Sequence, residues 1–254
     1  MRCLCTADIH IDDRVSLAGL CPTDRATGEP LVLTQARRTL AWITQEARER
    51  AVDLILIAGD LYERPRPSPA AEAVAAAWLS DLCEIAPVVL LLGNHDRGNG
   101  PEAHALEPLK HLRPGRLAVL DRPEPVGVVL RPEGFDRHFF GDYGPRVQPA
   151  FDAVIYPLPY PSRSYLAASS SSPEDTATRM SVALDEIMLA HATAARLRQD
   201  ATTILLGHGT LRGAAYNEYQ TVPLSDLQSG CDHFEAFDLA AEAIRLTRQL
   251  ADAA

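Results

Sequence analysis

Two segments, "DLILIAGD" (53–60) and "PVVLLLGNHD" (87–96), constrain this chain most. Their cores, "LILI" and "VVLLL", are apolar at every position. A strand built from them must be covered on both faces, which is the situation of a parallel sheet flanked by other layers. Each run then stops at a glycine and turns polar within one residue. The segments around them fit that frame. "RCLCTA" (2–7) reads as a strand, and "TQARRTLAWITQEARERA" (34–51) places Ala36, Leu40, Ile43 and Ala47 at helical spacing. "SPAAEAVAAAWLSDLCEI" (68–85) reads as a helix with Ser68 as N-cap and Pro69 at its first position. Strand, helix, strand, helix, strand predicts parallel strands joined by right-handed crossovers, hence an α/β fold.

The middle is less regular. "RLAVLD", "PVGVVL", "RHFFGD" and "DAVIYPLPY" read as short strands divided by proline and glycine, an antiparallel or mixed continuation of the sheet. The serine run within "YLAASSSSPEDTA" reads as a mobile loop, followed by a long helix over roughly 174–199. "TTILLGHGT" (202–210) is the next strand and turn. No internal repeat is visible, and a chain of 254 residues fits one domain of this class.

Net charge of −10 argues against a strong non-specific grip on nucleic acid, which needs a basic face. No apolar stretch approaches the roughly 20 residues that span a bilayer, and the N-terminus has no secretory h-region. A soluble, cytoplasmic protein that meets no membrane is expected. Cys3 and Cys5 could mimic a metal clip, but no second pair completes a zinc site, and the five cysteines read as reduced core thiols.

Chemistry concentrates at the strand ends. The first strand ends in Asp8-Ile9-His10, the second in Gly59-Asp60, the third in Gly93-Asn94-His95-Asp96, and a later one in Gly207-His208. In open α/β sheets, sites form at the carboxyl ends of strands. Oxygen and imidazole donors together suit manganese, iron or zinc, and a carboxylate such as Asp60 can bridge two cations.

In order, type and position these motifs resemble those of the calcineurin-like metallophosphoesterase superfamily. "TADIHIDD", "AGDLYERPRPSP", "VVLLLGNHD" and "GHGTLRGA" are most similar to SbcD-type DNA repair nucleases. The resemblance implies a four-layer sandwich of two mixed β-sheets flanked by helices, holding two divalent metal ions. Manganese is the expected metal, with iron, zinc and magnesium as alternatives. It implies that Asp8 and His10 bind one metal, that Asp60 bridges, and that Asn94 and His208 bind the other. It gives His95 the role of proton donor to the leaving oxygen and Asp96 that of orienting His95. Arg97 and Arg212 follow the motif residues and are candidate phosphate contacts, while "YERPRPSP" (62–69) reads as a solvated, proline-stiffened loop in preference to one whose Arg64 or Arg66 meets a substrate phosphate. The expected substrate is a phosphodiester, DNA among the candidates, and an ATPase partner subunit is implied by the resemblance alone.

One motif departs from the pattern. The superfamily closes its site with Gly-His-x-His, and this sequence has none. Phe237-Asp238-Leu239-Ala240 stands in its place, so Asp238 is a possible replacement ligand and Ala240 cannot be one. Three readings stay open: an enzyme in which Asp238, His233 or water fills the gap, a weakened or inactive relative kept for binding or as a scaffold, and a domain left incomplete or altered from about residue 231. The DNA-capping and partner-binding segments of SbcD-type nucleases are not expected here either, because the chain stops before them.

Overall fold

The structure is a computed structural model that describes residues 1–14, 22–98, 104–139, 150–160, 173–196, 201–209, 215–217 and 220–221. The chain divides into two compact units, one of residues 1–160 with 204–208 and the other of 161–203 with 209–254.

The first unit contains two four-stranded sheets. Strands β1 (Cys3–Thr6), β2 (Leu54–Ile57), β3 (Val88–Leu91) and β4 (Leu117–Leu120) pair in that order, each pair parallel. Helices α1 (Leu31–Glu49) and α2 (Pro69–Ile85) make the crossovers from β1 to β2 and from β2 to β3. Ser68 caps α2 as expected, its hydroxyl accepting from the Ala71 amide, with Pro69 at the first helical position. Side chains alternate along the apolar runs. Ile55, Ile57, Val88 and Leu90 join a cluster with Leu40 and Ile43 of α1 and Val74, Trp78 and Leu82 of α2. Leu54, Leu56, Val89 and Leu91 point the other way, into a second cluster.

That second cluster is the interface with the other sheet. Strands β5 (Val126–Arg131), β6 (Gly134–Phe139), β7 (Ala153–Leu158) and β8 (Thr202–Gly207) lie in the order β6-β5-β7-β8, with β5 antiparallel to both β6 and β7. Val126, Val128, Phe135, Ile155 and Leu206 pack on the inner face of the parallel sheet. The two-sided burial required by "LILI" and "VVLLL" is thus met by helices on one face and a second sheet on the other.

Of the five cysteines, Cys3, Cys5 and Cys83 lie among the described residues, and Cys21 and Cys231 lie outside them. Cys83 is buried and Cys3 half-buried, but Cys5 is exposed, because β1 is an edge strand. The expectation of core thiols therefore fails at Cys5. In the second unit, α3 (Pro173–Arg196) buries Leu184, Met188 and His191 along one stripe, and β9 (Ala215–Asn217) pairs antiparallel with β10 (Gln220–Thr221). Among the described residues, no helix is long and apolar enough to cross a membrane. The serine run of 169–172, Arg212, His233 and Asp238 lie outside the described residues.

A compact ion network fixes the segment after β3. The buried His104 imidazole lies 3.1 Å from Glu107 and 3.3 Å from Asp121, just beyond β4, while the Lys110 ammonium lies 2.7 and 2.9 Å from the same two carboxylates. Hydrogen bonding from His104, then from Lys110, holds the Asp121 carboxyl well below its ordinary 3.8 against the opposing effect of burial. A folded value below the unfolded one adds stability that is fully present above pH 3.8 and lost as pH falls through the folded value. Asp121→Asn is therefore expected to cost about 1–3 kcal/mol at neutral pH. In urea titrations its deficit against wild type should shrink steadily below pH 4. A deficit constant from pH 7 to pH 3 would contradict this assignment.

Candidate metal centre

All six strand-end candidates, Asp8, His10, Asp60, Asn94, His95 and His208, lie in the first unit. Local backbone chemistry brings them together. Beyond β1 and β2 the two chains stay paired: the Asp8 amide donates to Gly59, those of Ile9 and His10 to the Asp60 carbonyl, and that of Ile11 to Leu61. Asp8, His10 and Asp60 all adopt left-handed backbone, with φ of 53°, 51° and 52°. Asp and His tolerate this region better than most residues, yet it costs on the order of 1 kcal/mol or more per residue. Three of the four non-glycine residues with positive φ among the described residues are thus polar residues at these strand ends; the fourth is Ala51.

Two glycines permit the approach of the remaining side chains. Gly59 has φ +90°, and a Cβ there would overlap the His208 ring. A Cβ on Gly93 would overlap the Asp60 carboxylate and amide. Both positions need glycine because the site's own groups occupy the space of a side chain.

Asp60 is the hub, and its side chain is only 3% exposed. Its Oδ1 accepts the His95 backbone N–H at 2.9 Å. Its Oδ2 stands 3.6 Å from His10 Nε2 and 3.3 Å from His208 Nε2. Burial raises the Asp60 carboxyl, but hydrogen bonding and charge from His208, with the His95 amide, outweigh it and leave the carboxyl below its ordinary value. His208 moves the other way: desolvation lowers it, and Asp60 more than compensates, so it rises. His208 Nδ1 donates to the Ala58 carbonyl at 2.7 Å, which directs Nε2 at the Asn94 amide oxygen, 2.9 Å away, as well as at Asp60. Asp8 is exposed, with Oδ1 3.8 Å from His10 Nε2.

An acidic oxygen, an amide oxygen and an imidazole nitrogen whose partner nitrogen already holds a proton converge on one point. Such a donor set fits a divalent cation. Asp8, Asp60 and His208 can bring ligand atoms within 4.8 Å of one another, and so can His10, Glu63 and His95. In the third group of this kind, His104, Glu107 and Asp121, both carboxylates are already paired with Lys110.

The side-chain partners of Asp96 are backbone amides. Fully buried, its carboxylate accepts from the amides of Tyr62 at 2.9 Å, Gly93 at 3.1 Å and Leu61 at 3.3 Å. Burial raises its carboxyl; these three amides oppose the rise and the Asp60 charge adds to it. The ring of His95 is held by the Glu63 carbonyl, 2.8 Å from Nδ1, and packs edge-on to His10 with ring centroids 4.7 Å apart. Arg97 is half-buried, its backbone bridged to His104.

The loop after Asp60 is exposed at Pro65 and Arg66, as a solvated loop would be, but its first residues are tied down. The Glu63 amide donates to Ile11, and Arg64 pairs with the buried Asp12 at 2.5 Å. Glu63 places its carboxylate 2.9 Å from His10 Nδ1. Sequence reasoning missed Glu63 as a site residue. Its position three residues after Asp60 was the available signal.

A search of solved structures finds the chain similar to the Pseudomonas putida nuclease MPE, at 27% identity over 52% of this chain and 51% of that one, with a TM-score of 0.31. The match thus spans about half of that nuclease, and so low a TM-score has no bearing on the site. The family model for calcineurin-like phosphoesterases matches residues 1–236, from the first strand through every strand-end motif described above, and the chain belongs to that family.

Proposed function

We propose that the chain is a metal-dependent phosphodiesterase of the SbcD-like kind its motifs resemble, with manganese as the metal and DNA or a nucleotide-like diester as substrate. The observation that carries this reading is the convergence of Asp60 Oδ2, Asn94 Oδ1 and His208 Nε2, with His208 Nδ1 turned to the Ala58 carbonyl. Asp8 and His10 would hold one cation, Asn94 and His208 the other, with Asp60 shared. Bound cations supply charge neutralisation to the phosphate and activation of a water. His95 stands beside the ligand set, its Nδ1 committed to the Glu63 carbonyl, which leaves Nε2 to carry a proton to a leaving oxygen. Arg97 and Arg212 are candidate phosphate contacts, and Asp238 is the candidate to complete the ligand set.

A second reading, a binding or scaffold protein on the same fold, is favoured by one feature, the absence of Gly-His-x-His. Metal-stripped full-length protein separates the two. The enzyme reading expects hydrolysis of bis(p-nitrophenyl) phosphate to appear on adding Mn²⁺, and expects Asp60→Asn to lose both hydrolysis and tight Mn²⁺ binding. Mn²⁺ binding without hydrolysis would favour the binding protein. Failure to bind Mn²⁺ at all would overturn the metal centre.

A further inference from the structure

We propose that Cys3 and Cys5 form a binding site for a soft, two-coordinate cation of the Cu(I) class, separate from the strand-end centre. The proposal is independent of the phosphodiesterase reading and of the metal that reading assigns.

Both residues lie on β1, which pairs with β2 and stands at the end of its sheet. Across the ladder, Cys3 pairs with Leu54 and Cys5 with Leu56. Residues two apart on a strand project to one face, so the two thiols stand side by side. Leu54 and Leu56 join the cluster between the sheets, and Cys3 packs against that same cluster. Cys3 is half-buried, Cys5 is exposed, and neither is in a disulfide. The pair is therefore apolar at one end and open to a ligand at the other.

The strand's geometry selects the ligand. The rise along a strand sets the two Cα atoms roughly 6.6 Å apart, with their Cα–Cβ bonds nearly parallel. A disulfide needs its Cβ atoms at about 3.8 Å, which this pair reaches only by bending β1. A cation held in line between two thiolates needs its sulfurs only about 4.6 Å apart, twice a metal–sulfur bond of about 2.3 Å. Two side chains leaning together span that gap while β1 keeps its pairing. Structural zinc takes four ligands, and none of the three-ligand groups among the described residues includes a cysteine. Thiolate softness favours Cu(I) here, whereas the harder oxygen and imidazole donors of the strand-end centre suit divalent ions.

The protonation of the thiols fits this use. Burial raises both, and the charge of Cys5 raises Cys3 further. Both are thiols at neutral pH, which makes them slow nucleophiles but leaves them able to bind. On entry of the cation, two S–H bonds break, two Cu–S bonds form, and two protons leave to solvent, with no change of oxidation state. The cation between the sulfurs removes the repulsion that two adjacent thiolates would feel.

The test uses the full-length protein under nitrogen, with ascorbate as reductant and no added thiol. Cu(I) is titrated in competition with bathocuproine disulfonate, whose coloured complex reports how much cation the protein withdraws. Wild type is expected to withdraw one equivalent, and Cys3→Ser and Cys5→Ser to withdraw none. The double variant Cys21→Ser/Cys231→Ser is expected to behave as wild type. X-ray absorption at the copper edge is expected to show two sulfur neighbours in line and no nitrogen. Because Cys5 is exposed, Cys5→Ser leaves the core intact and decides the matter if Cys3→Ser does not fold. No withdrawal by wild type would overturn the proposal, as would full withdrawal by Cys5→Ser. So would loss of binding in the Cys21/Cys231 variant, or nitrogen or a third sulfur beside the copper, since each places the cation elsewhere or in another geometry.

Discussion

Replacing His95 with glutamine is expected to lower turnover of a phosphodiester with an alkoxide leaving group by about 100- to 10,000-fold, the usual range for loss of a positioned general acid. Mn²⁺ affinity should hardly change. The His95 ring contributes no atom to the convergence of Asp60, Asn94 and His208, and its link to Asp60 runs through the backbone amide, which the substitution keeps. The fall should be smaller with bis(p-nitrophenyl) phosphate, whose leaving group departs without needing a proton. Comparing the two substrates separates acid catalysis from a general loss of geometry, because distortion would depress both equally. Equal losses on both substrates, or a large loss of Mn²⁺ binding, would remove His95 from the role of proton donor.

The fold was legible where the physics is local. "LILI" and "VVLLL" can be buried only between two layers, and they are, between α1 and α2 on one side and the second sheet on the other. The strand-end residues were legible for a related reason: a stiff apolar strand delivers whatever follows it to one rim, so Asp8, Asp60 and Asn94 could be grouped without a structure. Less legible was everything set by backbone amides across distant segments. The sequence pattern contains no sign that Asp96 accepts from Leu61 and Tyr62 some 35 residues away. Nor does it indicate that Glu63 faces His10, since that follows from the pinned loop and from the left-handed turns at His10 and Asp60. Side-chain identity fixes what a residue can do. Its partner here is chosen by turns that only long-range pairing holds in place.

Asp96→Ala is expected to cost about 3–5 kcal/mol of stability and to weaken Mn²⁺ binding at the same time. The carboxylate is the acceptor for three amides in a region with no solvent access, and each buried N–H left without a partner costs about 1–3 kcal/mol. Those amides belong to Leu61, Tyr62 and Gly93, which flank the Asp60 turn and the glycine that Asp60 packs against. Losing their common acceptor loosens both segments that aim Asp60. Asp96→Asn should be milder in stability, because its amide oxygen still accepts while its NH₂ group faces amides that also donate. Urea unfolding measures the stability cost, and Mn²⁺ titration of each variant measures the coupling. A variant as stable as wild type would show that the three amides find other acceptors. A destabilised variant with unchanged Mn²⁺ affinity would show that Asp60 is held by its own contacts with Gly93, His95 and His208, and that the buried carboxylate supports the fold without aiming the hub.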